Sequence, residues 1–214
     1  MEFINEDLQK YAEDHTSSET PLLAKINRHT HANVMMPRML SGHLQGRVLS
    51  TFAQMIKPKT VLEIGTYTGY SAICLAEGLA EGGRLYTVDV NEELEDMVRG
   101  FFEEAGLSES IEYMIGNAME IIPEIKEEFD LVFIDADKIN YGNYFDMTID
   151  KVRKGGFIIA DNVLWSGKVL LPRDAKVDKD TQAIIDFNAK VHTDDRVENV
   201  LFPVRDGLMV LRKK

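Results

Sequence analysis

Four acids stand where apolar runs end. Glu63 lies near the end of TVLEIG (60–65), Asp89 closes RLYTVD (84–89), Asp135 falls near the end of DLVFIDA (130–136), and Asp161 closes GFIIAD (156–161) with Asn162 beside it. An open α/β sheet binds its ligands outside the carboxyl ends of the strands, so these acids are expected on one edge. Gly65 and Gly69 follow Glu63 at the turn from strand to helix, where a backbone without Cβ lets a ligand approach. Tyr67 holds the middle position of what would be a G-x-G-x-x-G phosphate loop, leaving poor room for a pyrophosphate, and Glu63 would repel one. Asp89 follows about 20 residues on, the place of an acid that takes ribose hydroxyls. A ligand with a ribose, a positive charge and no phosphate is S-adenosylmethionine. The plainer alternative is a tight turn with no ligand.

The second cluster points to a metal. Asp135, Asp161 and Asn162 would supply three hard oxygens and leave positions open for water and substrate, which is how Mg²⁺ is usually held. An Asp at a strand end also serves to cap the next helix. The run DADKINYGNYFD is not an EF-hand loop: Asn140 stands at the required glycine and the final Glu is missing.

These residues need a scaffold, and the rest of the chain supplies its rhythm. The strand candidates 60–65, 84–89, 111–116, 130–136 and 156–161 alternate with helix candidates near 70–80, 91–105, 117–127 and 141–153. That alternation predicts a parallel α/β sheet with helices on both faces. The end differs: a helix over 180–192, then VENVLFPV and GLMVLRK as two strands joined at Arg205-Asp206-Gly207, a hairpin signal. Residues 1–57 read as three helices with breaks near Thr16–Thr20 and Met36–Gly42, an extension packed on a core over 58–214.

The 214 residues suit a single domain, and 44% hydrophobic content is enough for a sizeable core. No apolar run approaches a membrane span, and the acidic start MEFINEDLQKYAEDH is not a secretory signal. The single cysteine, Cys74, excludes an internal disulfide and a cysteine-based zinc cluster; a cytoplasmic location fits. Net charge is −12, which disfavours nucleic acid, yet no acid occurs from Pro21 to Val61 while Lys25, Arg28, Arg38, Arg47, Lys57 and Lys59 do. Those cations are either solvated faces or a basic rim that attracts an anionic substrate.

The segments VLEIGTYTGYSAICLAEGL, LYTVDVNEE, FDLVFIDADKINYGNYF, KGGFIIADNVLWSGKV and VRDGLMVL resemble the cation-dependent class I O-methyltransferases, the catechol and caffeoyl-CoA O-methyltransferase family, over roughly residues 35 to 212. The resemblance implies a Rossmann-like, mostly parallel seven-stranded sheet with a C-terminal antiparallel hairpin. It implies cofactor contacts at Ser41, Glu63, Gly65, Tyr67, Ser71, Asp89, Ala118 and Asp135. It implies a divalent cation (Mg²⁺, Ca²⁺ or Mn²⁺) on Asp135, Asp161 and Asn162, Lys138 beside the reacting hydroxyl, and a homodimer.

Methyl transfer from a sulfonium to oxygen is an in-line displacement that needs a phenolate, close approach and little water. A metal binding both oxygens of a vicinal diol would acidify one hydroxyl and fix it against the methyl. Lys138 is then placed to take the proton; the alternative is a surface lysine paired with Asp137. Trp165 and Met39, with Met35 and Met36, are candidates to wall the substrate ring, or plain packing. The chain departs from animal catechol enzymes at NVLFPV, where no acid precedes the Asp-Gly turn to hold the second hydroxyl, and the long insertion of the plant enzymes is not evident. The expectation is a Mg²⁺-dependent O-methyltransferase acting on a small aromatic diol. The alternatives are a caffeoyl-CoA thioester, a hydroxylated uridine in tRNA, and a non-catalytic module that only keeps the cofactor pocket.

Overall fold

The computed structural model describes residues 5–170 and 177–214. Its frame is a seven-stranded sheet formed by β1 (Thr60–Ile64), β2 (Arg84–Asp89), β3 (Ile111–Ile115), β4 (Phe129–Ile134), β5 (Val152–Ala160), β6 (Val197–Phe202) and β7 (Leu208–Lys213) in the order β3-β2-β1-β4-β5-β7-β6. Strands β1 to β5 are parallel, and β7 runs antiparallel between β5 and β6. The strand order reverses at β1 and β4, so the ends of these two strands open the crevice in which doubly wound sheets bind ligands.

The helices divide between the two faces. On one, α6 (Ala118–Glu124), α7 (Tyr141–Ile149) and α8 (Lys179–Thr193) cover a core that includes Leu62, Ile64, Val132, Ile134, Phe145, Phe187 and Leu211. On the other, α2 (Pro21–Asn33), α3 (Gly42–Ile56), α4 (Tyr70–Ala76) and α5 (Glu95–Glu104) cover Val61, Leu131, Phe133 and Ile159. Strands buried on both faces read as continuous apolar runs, which is why β1 and β4 are so plain in the sequence. The alternation of β1 sends Glu63 to the α4 side, level with Phe133 on β4 and Thr87 on β2. The short α1 (Glu6–Asp14) precedes α2, whose N-terminus is capped by Thr20 and primed by Pro21.

Several boundaries move inward from the sequence expectation. The helix expected over 141–153 ends at Ile149, because Val152 is drawn into β5 opposite Phe129. The one expected over 117–127 ends at Glu124, where Lys151 Nζ takes the carbonyls of Ile122, Pro123 and Ile125. The helix near 70–80 ends at Ala76, since Gly78 lies against the backbone of Ala53 and Gln54 on α3.

Gly65 has a structural task besides the one its sequence position suggests. Its φ is +103°, and a Cβ there would lie 2.0 Å from the carbonyl oxygen of Asp135, so the glycine lets β1 and β4 end side by side. Gly65→Ala should therefore cost more than ~3 kcal/mol, whereas Gly82→Ala, at φ +68° in open space, should cost only ~1–2 kcal/mol of left-handed strain. Urea unfolding measures both, and equal costs would show that backbone conformation alone requires Gly65.

Candidate active site

A cleft of about 1430 Å³ opens above the carboxyl ends of β1, β2, β4 and β5. One small-molecule site occupies roughly 300–1,000 Å³, so this cleft has room for two molecules side by side. Its walls include Met39, Ser41, Gly65, Tyr67, Ser71, Asp89, Ala118, Asp135, Lys138, Asp161, Asn162 and Trp165. Residues from both ends of the chain thus meet at one edge of the sheet.

On the β2 side, Asp89 ends its strand with both oxygens engaged by backbone donors: Oδ2 accepts from Tyr67 N at 2.7 Å and Oδ1 from Asn91 N at 2.9 Å. A carboxylate has about four acceptor positions, so lone pairs remain for a pair of hydroxyls. The Tyr67 backbone is left-handed, with φ +48°, and its hydroxyl donates to the Met35 carbonyl at 2.9 Å, tying the N-terminal segment over the cleft. Asn117 caps α6 through Met119 N, which sets Ala118 at the cleft wall.

Glu63 does not itself line the cleft. It is 0% exposed beneath it. Its Oε2 accepts from Thr87 Oγ1 at 2.5 Å, and Thr87 in turn is 2.6 Å from Thr66 Oγ1. Its Oε1 has no partner. Burial pushes its carboxyl from the ordinary 4.5 up to about 8, opposed by the Ser71 and Thr87 hydroxyls. A buried carboxyl with a free oxygen under the cleft floor suits a cationic ligand above it better than an anionic one.

The β4 and β5 ends carry the second cluster. Ile134 pairs with Ala160, so Asp135 and Asp161 leave the sheet in step, and Asp161 N donates to Ile134 O at 3.0 Å. Asp161 is 2% exposed; its Oδ1 accepts from Asn162 N at 2.6 Å and its Oδ2 from Gln45 Nε2 at 2.6 Å. Burial and the neighbouring Asp135 charge raise its pKa, while Gln45, Lys138 and Arg205 oppose them. Neither Asp135 nor Asp161 caps a helix, so the capping alternative falls. Among the described residues no three His, Cys, Asp or Glu side chains are grouped to hold a metal. The candidate set here is two carboxylates and an amide, and two adjacent carboxylates with one lysine suit a divalent cation in charge and donor type.

Lys138 is no surface lysine. At 9% exposure, its Nζ donates to Asp135 Oδ1 at 3.1 Å and to Tyr141 Oη at 2.6 Å, and it lies 5.8 Å from the centre of the Trp165 ring. Asp137, the expected partner in the surface reading, instead accepts from Tyr144 Oη and Asn140 Nδ2, each at 2.6 Å. Tyr141, Gln45, Arg205 and Asp206 also belong to this site; from sequence, Arg205 and Asp206 mark only a turn, and Tyr141 and Gln45 have no assigned role. The acid-free segment forms no basic rim. Lys25 pairs with Glu104 and Arg47 with Glu77, and of its six cations only Arg38 lines the cleft. Cys74 is buried, which pushes its thiol up to about 12 and leaves it unreactive.

The fold and this cleft define a class I S-adenosylmethionine-dependent methyltransferase. The chain belongs to the O-methyltransferase family, whose model matches residues 13–214. It is 36% identical to caffeoyl-CoA O-methyltransferase 1 of Arabidopsis thaliana, over 79% of this chain and 69% of that protein. An O-methyltransferase from Bacillus cereus, solved in complex with S-adenosylhomocysteine, superposes with a TM-score of 0.89 at 30% identity, covering 97% of both chains. A methyltransferase of Podospora anserina, also bound to S-adenosylhomocysteine, superposes with a TM-score of 0.90 at 28% identity over 99% of this chain and 97% of that one.

Glu63 has a measurable consequence for the cofactor-free protein. The unfolded chain releases this proton near 4.5 and the folded chain near 8. Between those values the folded state holds more protons, so Glu63 makes stability fall as pH rises from about 4.5 to about 8, with no further change above. Glu63→Gln removes that contribution. Urea unfolding should find the variant and wild type similar near pH 4 and the variant more stable at pH 8. Parallel pH profiles would show that Glu63 ionises freely in the fold.

Proposed function

We propose that the enzyme transfers the methyl group of S-adenosylmethionine to a hydroxyl of a small catechol-type substrate with the help of a divalent cation such as Mg²⁺. What supports this reading most is the convergence of Asp135, Asp161, Asn162 and Lys138 on one wall of a cleft large enough for two ligands. When bound, the cofactor supplies an electrophilic methyl and the cation acidifies and orients a chelating hydroxyl pair.

The chain's own residues do the rest. Asp89 is assigned to the ribose hydroxyls, with its carboxylate already aimed by Tyr67 N and Asn91 N. Ser41, Gly65, Tyr67, Ser71, Ala118 and the Asp135 side line the remainder of the cofactor's bed, and Glu63 favours its positive end from beneath. Asp135, Asp161 and Asn162 are assigned to the cation. Lys138 is assigned to the proton of the reacting hydroxyl, held at its place by Tyr141 and Asp135. Trp165 and Met39 are assigned to the substrate ring; Met39 and Met35 present exposed thioether chains at the mouth.

A second reading, a caffeoyl-CoA-type thioester, is favoured by the plant relatives and by Arg38 and Lys168 on the cleft wall, where an anionic tail would pass. The tRNA reading loses its motive, because the cations of the acid-free segment do not gather at the cleft.

Labelled-methyl transfer to a catechol should stop in EDTA and return with Mg²⁺, and a monophenol should not be turned over. Asp161→Ala should mimic metal removal while keeping affinity for S-adenosylhomocysteine. Full activity in chelator sinks the metal assignment, and comparable turnover of a monophenol sinks the catechol one.

Asp89→Ala should weaken S-adenosylhomocysteine by ~1.5–3 kcal/mol, the worth of hydrogen bonds to a charged group. Asp89→Asn, which keeps one acceptor for the backbone donors, serves as the folding control. Calorimetric titration reads both; unchanged affinity in the alanine variant means the ribose lies elsewhere.

A further inference from the structure

We propose that Gln45 is a positioning residue that holds Asp161 in its ligating orientation, and that Arg205 selects which side of the Gln45 amide faces Asp161. The inference rests on the metal assignment above. Gln45 comes from α3, 116 residues before Asp161 in the chain, and is only 1% exposed. Its Nε2 donates to Asp161 Oδ2 at 2.6 Å, while Asn162 N donates to Oδ1 at 2.6 Å. With one fixed donor on each oxygen the carboxylate cannot rotate freely, and the remaining lone pairs are left for another partner. Outer partners of this kind orient metal-binding carboxylates.

An amide could point either its oxygen or its nitrogen at Asp161. Oxygen against a carboxylate would repel it, and the amide alone does not decide. Arg205 does. Its Nη1 shares its two N–H groups among Gln45 Oε1 at 3.2 Å, Leu40 O at 3.1 Å and Ser41 O. A guanidinium has no acceptor, so only the amide oxygen can face it, and the NH₂ group is left toward Asp161. Arg205 reaches this place from the β6–β7 turn with φ +49°, a conformation that favours glycine. A residue other than glycine there points to a use for the side chain, and its three acceptors are that use. The simpler possibility is a polar network that only stabilises the fold.

Loss of the free Mn²⁺ signal in electron paramagnetic resonance, titrated with S-adenosylhomocysteine present, separates the two. Gln45→Met keeps the length of the side chain and removes its donor. Arg205→Gly removes the guanidinium and accepts φ +49° without strain. Gln45→Met should weaken Mn²⁺ binding by about 10–100-fold, as loss of outer-shell partners does, with affinity for S-adenosylhomocysteine kept; Arg205→Gly should shift it the same way. A purely structural network would lower Tm and leave Mn²⁺ affinity at the wild-type value in both variants, which overturns the proposal. If Gln45→Met fails to fold, Arg205→Gly decides. If the wild type takes up no Mn²⁺, the metal assignment itself falls and this inference with it; Mn²⁺ bound equally by wild type and variants overturns the inference alone.

Discussion

A carboxyl group buried without partners costs several kcal/mol, and the edge of this sheet holds two buried carboxyls, Glu63 and Asp161, with the part-buried Asp135 beside them. Asp135 and Asp161 leave β4 and β5 at one level, and Glu63 lies on the adjacent β1 two residues below it, level with Phe133. The Asp135 charge adds to the upward shifts of both Glu63 and Asp161, after their burial. Packing alone would select against such an arrangement. The surrounding structure supplies partial compensation, through Thr87 for Glu63, Lys138 for Asp135, and Gln45 with Asn162 N for Asp161. Glu63 Oε1 still lacks a partner. The remaining imbalance favours positive ligands, which is what a sulfonium cofactor and a divalent cation would be.

Part of the frame around this edge is backbone that is itself under strain. Asn162, Trp165 and Ser166 adopt φ values of +58°, +49° and +51°, and Arg205 on the facing turn has +49°. The two segments hold each other. Leu164 N donates to Asp206 O, Val163 N to Gly207 O, and Ser166 N to the Asp206 carboxylate. Residues held in sparsely populated conformations persist only where their surroundings over-determine them. Here the Asp-Gly turn clamps the loop that carries Asn162 and Trp165, so the C-terminal hairpin is part of the site's frame as well as an edge of the sheet.

The sheet was legible in the sequence because its inner strands are apolar on both faces and end in acids; no helix needed to be known. Asp89, Asp135, Asp161 and Asn162 could be placed on one edge by topology alone. What was not legible depends on side-chain direction and distant partners. That Glu63 lies under the cleft follows from the parity of β1 against Phe133 and Thr87, which needs the register. That Lys138 turns inward to Tyr141 rather than outward to Asp137 depends on a 3₁₀ turn over Lys138–Asn140 that has no sequence signature. Gly65 reads in the sequence as a ligand-binding glycine and does line the cleft; that it also leaves room where a Cβ would come within 2.0 Å of Asp135 O needs the structure.

The most distant contacts also say how the site must assemble. Arg205 meets Leu40 and Ser41 across more than 160 residues of chain, and Gln45 meets Asp161 across 116. The α/β core from β1 to β5 can bring Asp89, Asp135 and Asp161 to one edge by itself, because parallel register alone does that. It cannot supply the donor on Asp161 Oδ2, which belongs to α3, nor the guanidinium that orients that donor, which belongs to the turn after β6. Contacts this far apart in the chain carry a larger loop-closure cost than those within the core. The binding edge is therefore finished only when the N-terminal helices and the C-terminal hairpin have both docked. Until then Asp161 would lack its Gln45 donor, and a carboxylate so close to Asp135 would favour its protonated form.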